Sequence, residues 1–306
     1  MNLPPLFTGS SYTVRPYAPG DEAAMYTVTA TLHAADAGDL LGWTLRLEET
    51  LEAGGAAWVA ARGKRVNGYA ILAPVPGLPG VFELTGGVAT PWQGRGLGTN
   101  LLAAVKADAP AVGARRLSCF VADLTGESGR FLLNRGFFVE HEECLLERDM
   151  ALGLPDAAEH PELAVRTLPR ETAVALFPTL YEASFAGLPW AQPYSAAETE
   201  ALLDRAEDLL FLMRDDEPVG FAWLETELAG MGRIEPFGIV ADHQGRGYGA
   251  WLLRAALARL RERRVTVARL GLWRDNTAAM TLYKKVGFSE TSNWYYLACD
   301  LAPTEL

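Results

Sequence analysis

Residues Gly87 to Leu102 read GVATPWQGRGLGTNLL, and Gly238 to Leu253 read GIVADHQGRGYGAWLL. Gln93 thus returns as Gln244, a shift of 151 residues. The same shift carries Val14-Arg15 onto Val165-Arg166 and Arg135-Gly136-Phe137 onto Val286-Gly287-Phe288. A constant shift across distant landmarks marks two copies of one domain. The repeat predicts a first domain over residues 1–150 and a second over 163–306. Between them, residues 151–162 trade the periodic apolar pattern for Gly, Pro, Ala and acidic residues, and read as a linker.

Working outward from the glycines, alternation in the second copy predicts strands near Leu163–Thr167, Leu209–Arg214, Pro218–Glu227, Arg233–Val240, Val267–Trp273 and Trp294–Leu301. Two helices are expected within Glu171–Ala206. A longer one follows the glycine segment, because Leu252, Leu253, Ala256, Leu257 and Leu260 form a stripe at helical spacing. Another helix is expected from about Asn276 to Val286, capped by Asp275 or Asn276 and stopped by Gly287. The fold class is therefore α/β (α+β), each copy a mixed, largely antiparallel sheet flanked by helices.

In both copies a strand enters Gln-Gly-Arg-Gly-x-Gly and passes directly into a helix. That layout aims several backbone N–H groups at one point beside a positive helix end, which suits a pyrophosphate. Gly245, Gly247 and Gly249 would let the backbone approach phosphates, with Gln244 and Tyr248 in the same turn and Arg246 adding charge. Gln93, Gly94, Arg95, Gly96 and Gly98 repeat the arrangement. One such motif alone reads equally well as a tight strand-to-helix turn; two at a fixed shift favour a ligand. The dinucleotide fingerprint fits poorly, because the motif follows several strands and Val267–Trp273 ends in Arg274 rather than an acidic residue. The Walker A lysine is also missing.

IVADHQGRGYG and VATPWQGRGLG resemble the CoA-binding motif of the GNAT acyltransferase superfamily, and NTAAMTLYKKVGF, from Asn276 to Phe288, resembles its second motif. The resemblance covers nearly the whole chain, one copy at a time. It implies acetyl-CoA as cosubstrate and an amine acceptor, with the pantetheine arm entering a splay beside the strand before the loop. That strand carries Pro236 and Gly238, and the first copy has Gly86-Gly87, residue types at home in a bulge or split. Phe237 and Ile239 on this strand are expected to border the cofactor.

The resemblance further implies that Tyr283, in Tyr-Lys-Lys-Val-Gly-Phe, is the general acid, and that Asn276 hydrogen-bonds the cofactor arm; Asn276 equally reads as a helix cap. Glu235 shares a strand face with Phe237 and Ile239 by alternation and is the expected general base, with Glu225 or Glu227 as alternatives. A backbone N–H near Ile239 would stabilise the oxyanion. In the first copy, Thr125, Leu132 and Leu84 stand at the positions of Asn276, Tyr283 and Glu235, so the cradle is kept without the chemistry. Ser184-Phe185-Ala186-Gly187-Leu188-Pro189 and the tandem layout are similar to the mycothiol synthases, two-domain GNATs that acetylate the amine of a cysteinyl pseudodisaccharide.

Composition bounds the rest. A chain of 306 residues with 49% hydrophobic content can supply two cores. Cys119, Cys144 and Cys299 form no CxxC pair, and His33, His141, His160 and His243 lack ligand spacing, so neither a disulfide scaffold nor a metal site is expected. Acidic residues outnumber basic ones in both halves, with a net charge of −11, which speaks against nucleic acid and weakly favours cationic acceptors such as amines. Met1 to Thr13 has no signal-peptide character and no later apolar run reaches membrane-spanning length, so a cytoplasmic protein without a membrane partner is expected.

Overall fold

The computed structural model describes residues 12–301, apart from 33–37, 64, 157, 186–187, 189–190 and 228–229. The chain divides into two compact units. One takes the residues up to Glu140 and those from Tyr296; the other is His141–Tyr295.

In the first unit, β1 (Thr13–Pro16) is followed by α1 (Glu22–Leu32) and α2 (Leu40–Glu52), then by β2 (Ala56–Arg62), β3 (Arg65–Pro74) and β4 (Val81–Val88). These four strands pair antiparallel in order. α3 (Leu97–Asp108) carries the chain to β5 (Arg116–Val121), which lies parallel to β4 over Val81–Glu83, and α4 (Glu127–Leu133) follows. Met25, Val28, Trp43 and Leu47 from the first two helices pack on Ala57, Val59 and Tyr69 of the sheet.

β6 (Phe138–Asp149) ends the first sequence repeat. The second repeat then runs β7 (Leu163–Arg166), α5 (Arg170–Phe185), α6 (Ala196–Leu202), β8 (Leu209–Arg214), β9 (Glu217–Thr226), β10 (Met231–Ile239), α7 (Tyr248–Glu262), β11 (Val267–Trp273), α8 (Thr277–Lys285) and β12 (Ser289–Asp300). β7 to β10 pair antiparallel in order, and β10 runs parallel to β11 over Met231–Arg233. The mixed, largely antiparallel sheet read from the sequence is what each copy forms.

Local sequence explains these elements. Leu209–Met213 is an unbroken apolar run because β8 is covered on both faces. Leu210 and Leu212 join the core under α7, while Leu209, Phe211 and Met213 join the one under α5. The α7 stripe of Leu252, Leu253, Ala256, Leu257 and Leu260 is fully buried, and each buried leucine contributes roughly 1.5–3 kcal/mol. Ser195 and Glu198 close a capping box at the start of α6. β11 alternates with Ala268, Leu270 and Leu272 inward.

The repeats and the compact units are different divisions of the chain. Most of β6, the last strand of the first repeat, lies in the second unit and pairs antiparallel with β11, from Val267↔Asp149 to Trp273↔Glu143. The end of β12 belongs to the first unit, where Arg116 Nε meets Asp300 Oδ1 at 2.6 Å and Leu301 N–H donates to Arg115 O at 2.8 Å. β12 also begins at Ser289, earlier than the expected Trp294. Its polar start carries no apolar alternation and is held instead by bonds to β6, such as Asn293 Nδ2 to Glu142 Oε1 at 2.8 Å.

Candidate active site

At the end of β10 the chain makes one 3₁₀ turn, Ala241–His243, and Gln244 Nε2 donates back to Ile239 O at 2.8 Å. Gly245 and Gly247 follow at φ 73° and 83°, a left-handed conformation that side chains rarely adopt, and Gly247 caps α7. No described residue lies within 4 Å of a Cβ placed on Gly245. The first N–H groups of α7 have no partner within the helix and point out of its positive end. Gly249 serves another purpose: a Cβ there would come within 3.2 Å of Leu282, so glycine lets α7 lie close to α8. Arg246 directs its guanidinium to Asp242 O at 3.1 Å.

The first copy repeats this turn. Gln93 Nε2 donates to Val88 O at 2.9 Å, Gly94 and Gly96 sit at φ 69° and 83°, and Gly96 caps α3. Arg95 stacks over the Trp92 ring at 4.9 Å. A cavity of about 950 Å³ opens beside the loop, between the diverging ends of β4 and β5, and its walls include Gly87, Gln93, Gly96, Cys119 and Leu132. Leu84 and Leu132 are buried, and Thr125 bonds Asp123. Burial pushes the Cys119 thiol up to about 12, so it stays protonated near neutral pH and supplies no thiolate.

In the second copy, parallel pairing of β10 with β11 stops at Arg233, and a bulge falls between Ile234 and Phe237. Pro236 sits inside it. The bulge interrupts the alternation from which Glu235 and Phe237 were read as sharing a face. Gly238 fits because a Cβ there would come within 2.8 Å of the Phe221 ring and 3.0 Å of Ser184. Ile239 is buried against Gly220 and Gly249.

The Glu235 carboxylate occupies the gap where β10 and β11 part, and accepts from the Gly271 N–H at 3.3 Å. The residue is solvent-exposed, yet the groups lining the gap desolvate its carboxyl enough to raise its pKa above the ordinary value, with the nearby Arg233 working against that shift. The two alternative bases are committed to cations. Glu225 accepts from Arg233 at 2.6 Å, and Glu227 is paired with Arg269. Tyr283 is buried, with its ring centroid 6.1 Å from that of Phe237 and 5.9 Å from that of Phe288. Burial, and then the charge of Glu235, raise its pKa, so the phenol keeps its proton at physiological pH. Asn276 caps α8, its Oδ1 accepting from Ala279 N–H at 3.1 Å.

Residues of other elements also face Glu235: Tyr181 and Glu143 were not singled out from the sequence, whereas Tyr194 is among the aromatics it offers for shaping the acceptor site. Tyr181 of α5, whose hydroxyl burial pushes up to about 12, feels its charge, as does Tyr194. Glu143 of β6 acts on it too, while accepting from Trp294 Nε1 at 3.1 Å. Glu143 lies in the first repeat, so periodicity gave no reason to bring it here. Trp190, which with Tyr194, Trp294 and Tyr295 reads from the sequence as an aromatic shaping the acceptor site, lies outside the described residues, as do Ala186, Gly187 and Pro189 of the segment starting at Ser184, and His33. Among the described residues, no group of three or more His, Cys, Asp or Glu is placed to hold a metal ion, and no helix is long and apolar enough to cross a membrane.

Two strand-to-helix glycine turns, each beside a sheet that splits, define a two-copy α/β class with an anion-suited turn in each copy. The acetyltransferase (GNAT) family pattern matches residues 23–137 and 174–288, and the chain belongs to that family, with two GNAT domains and acyltransferase activity. Members use acetyl-CoA as cosubstrate. The mycothiol acetyltransferase of Tsukamurella paurometabola is 30% identical over 288 residues, covering 88% of this chain and 93% of its own. That of Nocardia farcinica is 32% identical over 251 residues, 76% and 78% of the two chains. With the Corynebacterium glutamicum (strain R) mycothiol acetyltransferase the match is 28% over 155 residues, 49% of this chain and 53% of that one. Among solved structures, a GCN5-related N-acetyltransferase from Sphaerobacter thermophilus covers 95% of this chain and 96% of its own, with TM-score 0.69 and 19% identity. A tandem GNAT protein from the clavulanic acid biosynthesis pathway covers 96% of this chain and 100% of its own, with TM-score 0.63 and 19% identity. These two share the fold.

Proposed function

We propose that the C-terminal copy is the catalytic one and transfers an acetyl group from acetyl-CoA to a primary amine of a small molecule or peptide end. The cofactor pyrophosphate rests on the N–H groups from Gln244 to Gly249, and the pantetheine arm follows β10 past Phe237 and Ile239 into the split toward Asn276 and Tyr283. Glu235 takes the proton that makes the amine nucleophilic. The amine nitrogen then attacks the thioester carbonyl, the C–S bond breaks, and Tyr283 returns a proton to the departing thiolate. The products are the N-acetyl amine and free CoA.

The observation that carries this reading is that one split holds two suitable groups: a carboxyl group with a raised pKa and no ion pair among the described residues, close enough for its charge to act on a phenol that burial keeps neutral. Glu225 and Glu227, already paired with arginines, are poorer bases. The first copy keeps Gln93, Gly94, Arg95, Gly96 and Gly98 but has Leu84, Thr125 and Leu132 for chemistry, so it binds cofactor or supports its neighbour without turnover. The proposed boundaries remain 1–150, 151–162 and 163–306 as evolutionary copies, and the proposed location is the cytoplasm.

The names of the relatives favour a second, narrower reading in which the acceptor is the cysteinyl amine of a mycothiol precursor. Incubating the protein with acetyl-CoA and either mixed amines or the cysteinyl pseudodisaccharide, and measuring released CoA thiol, tests both. Release with the precursor alone selects the narrow reading; release with simple amines selects the broad one. No release with any amine, despite tight CoA binding, would make the chain a CoA-binding protein with little turnover.

A further inference from the structure

The segment between the repeats contributes a side chain to the C-terminal phosphate loop. His160, just ahead of β7, is fixed by Leu163 N–H donating to its carbonyl at 2.9 Å. Its Nδ1 lies 3.1 Å from Glu162 Oε1, and the hydroxyl of Tyr248, the first residue of α7, donates to the same oxygen at 3.3 Å. The imidazole stands edge-on to the Tyr248 ring, 5.2 Å between centroids. Its Nε2 is buried and has no hydrogen-bond partner among the described residues, and it would lie 3.3 Å from a Cβ on Gly247. A free ring nitrogen therefore abuts the loop at its tightest point. In the first copy no described residue lies within 4 Å of a Cβ on Gly96, Leu97 replaces Tyr248, and the position matching His160 is Gly9, outside the described residues.

We infer that His160 is a cofactor-positioning residue of the C-terminal copy, donating from Nε2 to a phosphate oxygen of the CoA diphosphate and taking up a proton as the cofactor binds. With Nδ1–H directed at Glu162, a neutral ring presents only a lone pair at Nε2, which repels a phosphate. The protonated ring donates at both nitrogens, one to carboxylate and one to phosphate. Glu162, Tyr248 and, across the Tyr248 ring, His243 are the titratable groups that face it, with Arg246 in the loop beyond. The inference rests on the C-terminal loop being the cofactor cradle.

The test is the KM for acetyl-CoA from pH 6 to 8, together with calorimetric CoA titration in two buffers of different ionisation enthalpy. For wild type, KM should rise with pH and binding should take up protons. His160→Ala should raise KM about 10-fold at pH 6 and much less at pH 8, the scale of a lost charge-assisted bond, with kcat little changed. His160→Gln, which keeps a donor that does not titrate, should recover part of the affinity and abolish the pH dependence. Glu162→Gln should move the wild-type dependence to lower pH, whereas His243→Gln should leave it in place. A pH dependence that survives in His160→Gln, or vanishes in His243→Gln, overturns the inference. Failure of the underlying assignment looks different: Gly247→Val would then leave KM for acetyl-CoA unchanged.

Discussion

Glu235→Gln separates catalysis from stability, because the desolvation that raises the Glu235 pKa acts on a residue that is still solvent-exposed, so it tunes the base while costing the fold little. The carboxyl pKa is raised, desolvation being the main cause, so the group is ionised only above an elevated value. Wild-type kcat/KM should therefore fall as pH drops through that value. The Gln variant should lose that acidic limb and about 10²-fold or more in rate at its plateau, the contribution expected of a positioned base. Stability should move the other way. With a raised folded-state pKa, the native state holds its proton more tightly than the unfolded chain, so the benefit is full below the unfolded value of about 4.3 and is lost as pH rises through the folded value. Because the residue is solvent-exposed, screening leaves only a small part of that effect, and wild type and the Gln variant should differ by less than about 1 kcal/mol at high pH. Steady-state rates and thermal melts of both proteins between pH 4 and 9 check the two halves together. An unchanged pH–rate profile removes Glu235 from the chemistry, and a variant clearly less stable than wild type at pH 8 contradicts the raised folded-state pKa.

Tyr283→Phe should lower kcat by roughly 10²-fold with little change in acetyl-CoA affinity, and because burial raises the phenol pKa, the wild type should show no alkaline limb from Tyr283 up to pH 9; wild-type turnover in the Phe variant contradicts its role as acid. Ser195→Ala removes the capping-box acceptor of the Glu198 N–H and should cost about 1 kcal/mol by denaturant titration, whereas a loss below a few tenths would show that α6 is held by packing alone.

The sequence was most legible where one physical constraint sets one residue type. Glycine at 245 and 247 meets positive φ, and the leucine stripe after it meets a core. It was less legible where partners come from afar. The Glu235 environment depends on Tyr181, on Gly271 and on Glu143, which the repeat assigned to the other copy; strand alternation cannot reveal that β6 pairs with β11. The shared face of Glu235 and Phe237 failed as a reading because a bulge adds one residue and shifts the period. His160 was dismissed for lacking ligand spacing, a criterion suited to metals and blind to a single imidazole laid on a phosphate loop.

The division of labour between the copies is tested most directly by Gly247→Val and Gly96→Val, compared for acetyl-transfer rate and for equivalents of CoA bound. Both glycines hold left-handed backbone at φ 83° at the start of a helix, so a branched side chain strains the backbone of either loop, with His160 an added neighbour at Gly247. Catalysis by the C-terminal copy predicts that Gly247→Val abolishes turnover, while Gly96→Val keeps it and at most loses one equivalent of bound CoA. A folded Gly96→Val protein without turnover, beside a Gly247→Val protein that retains it, would place the active site in the first copy instead.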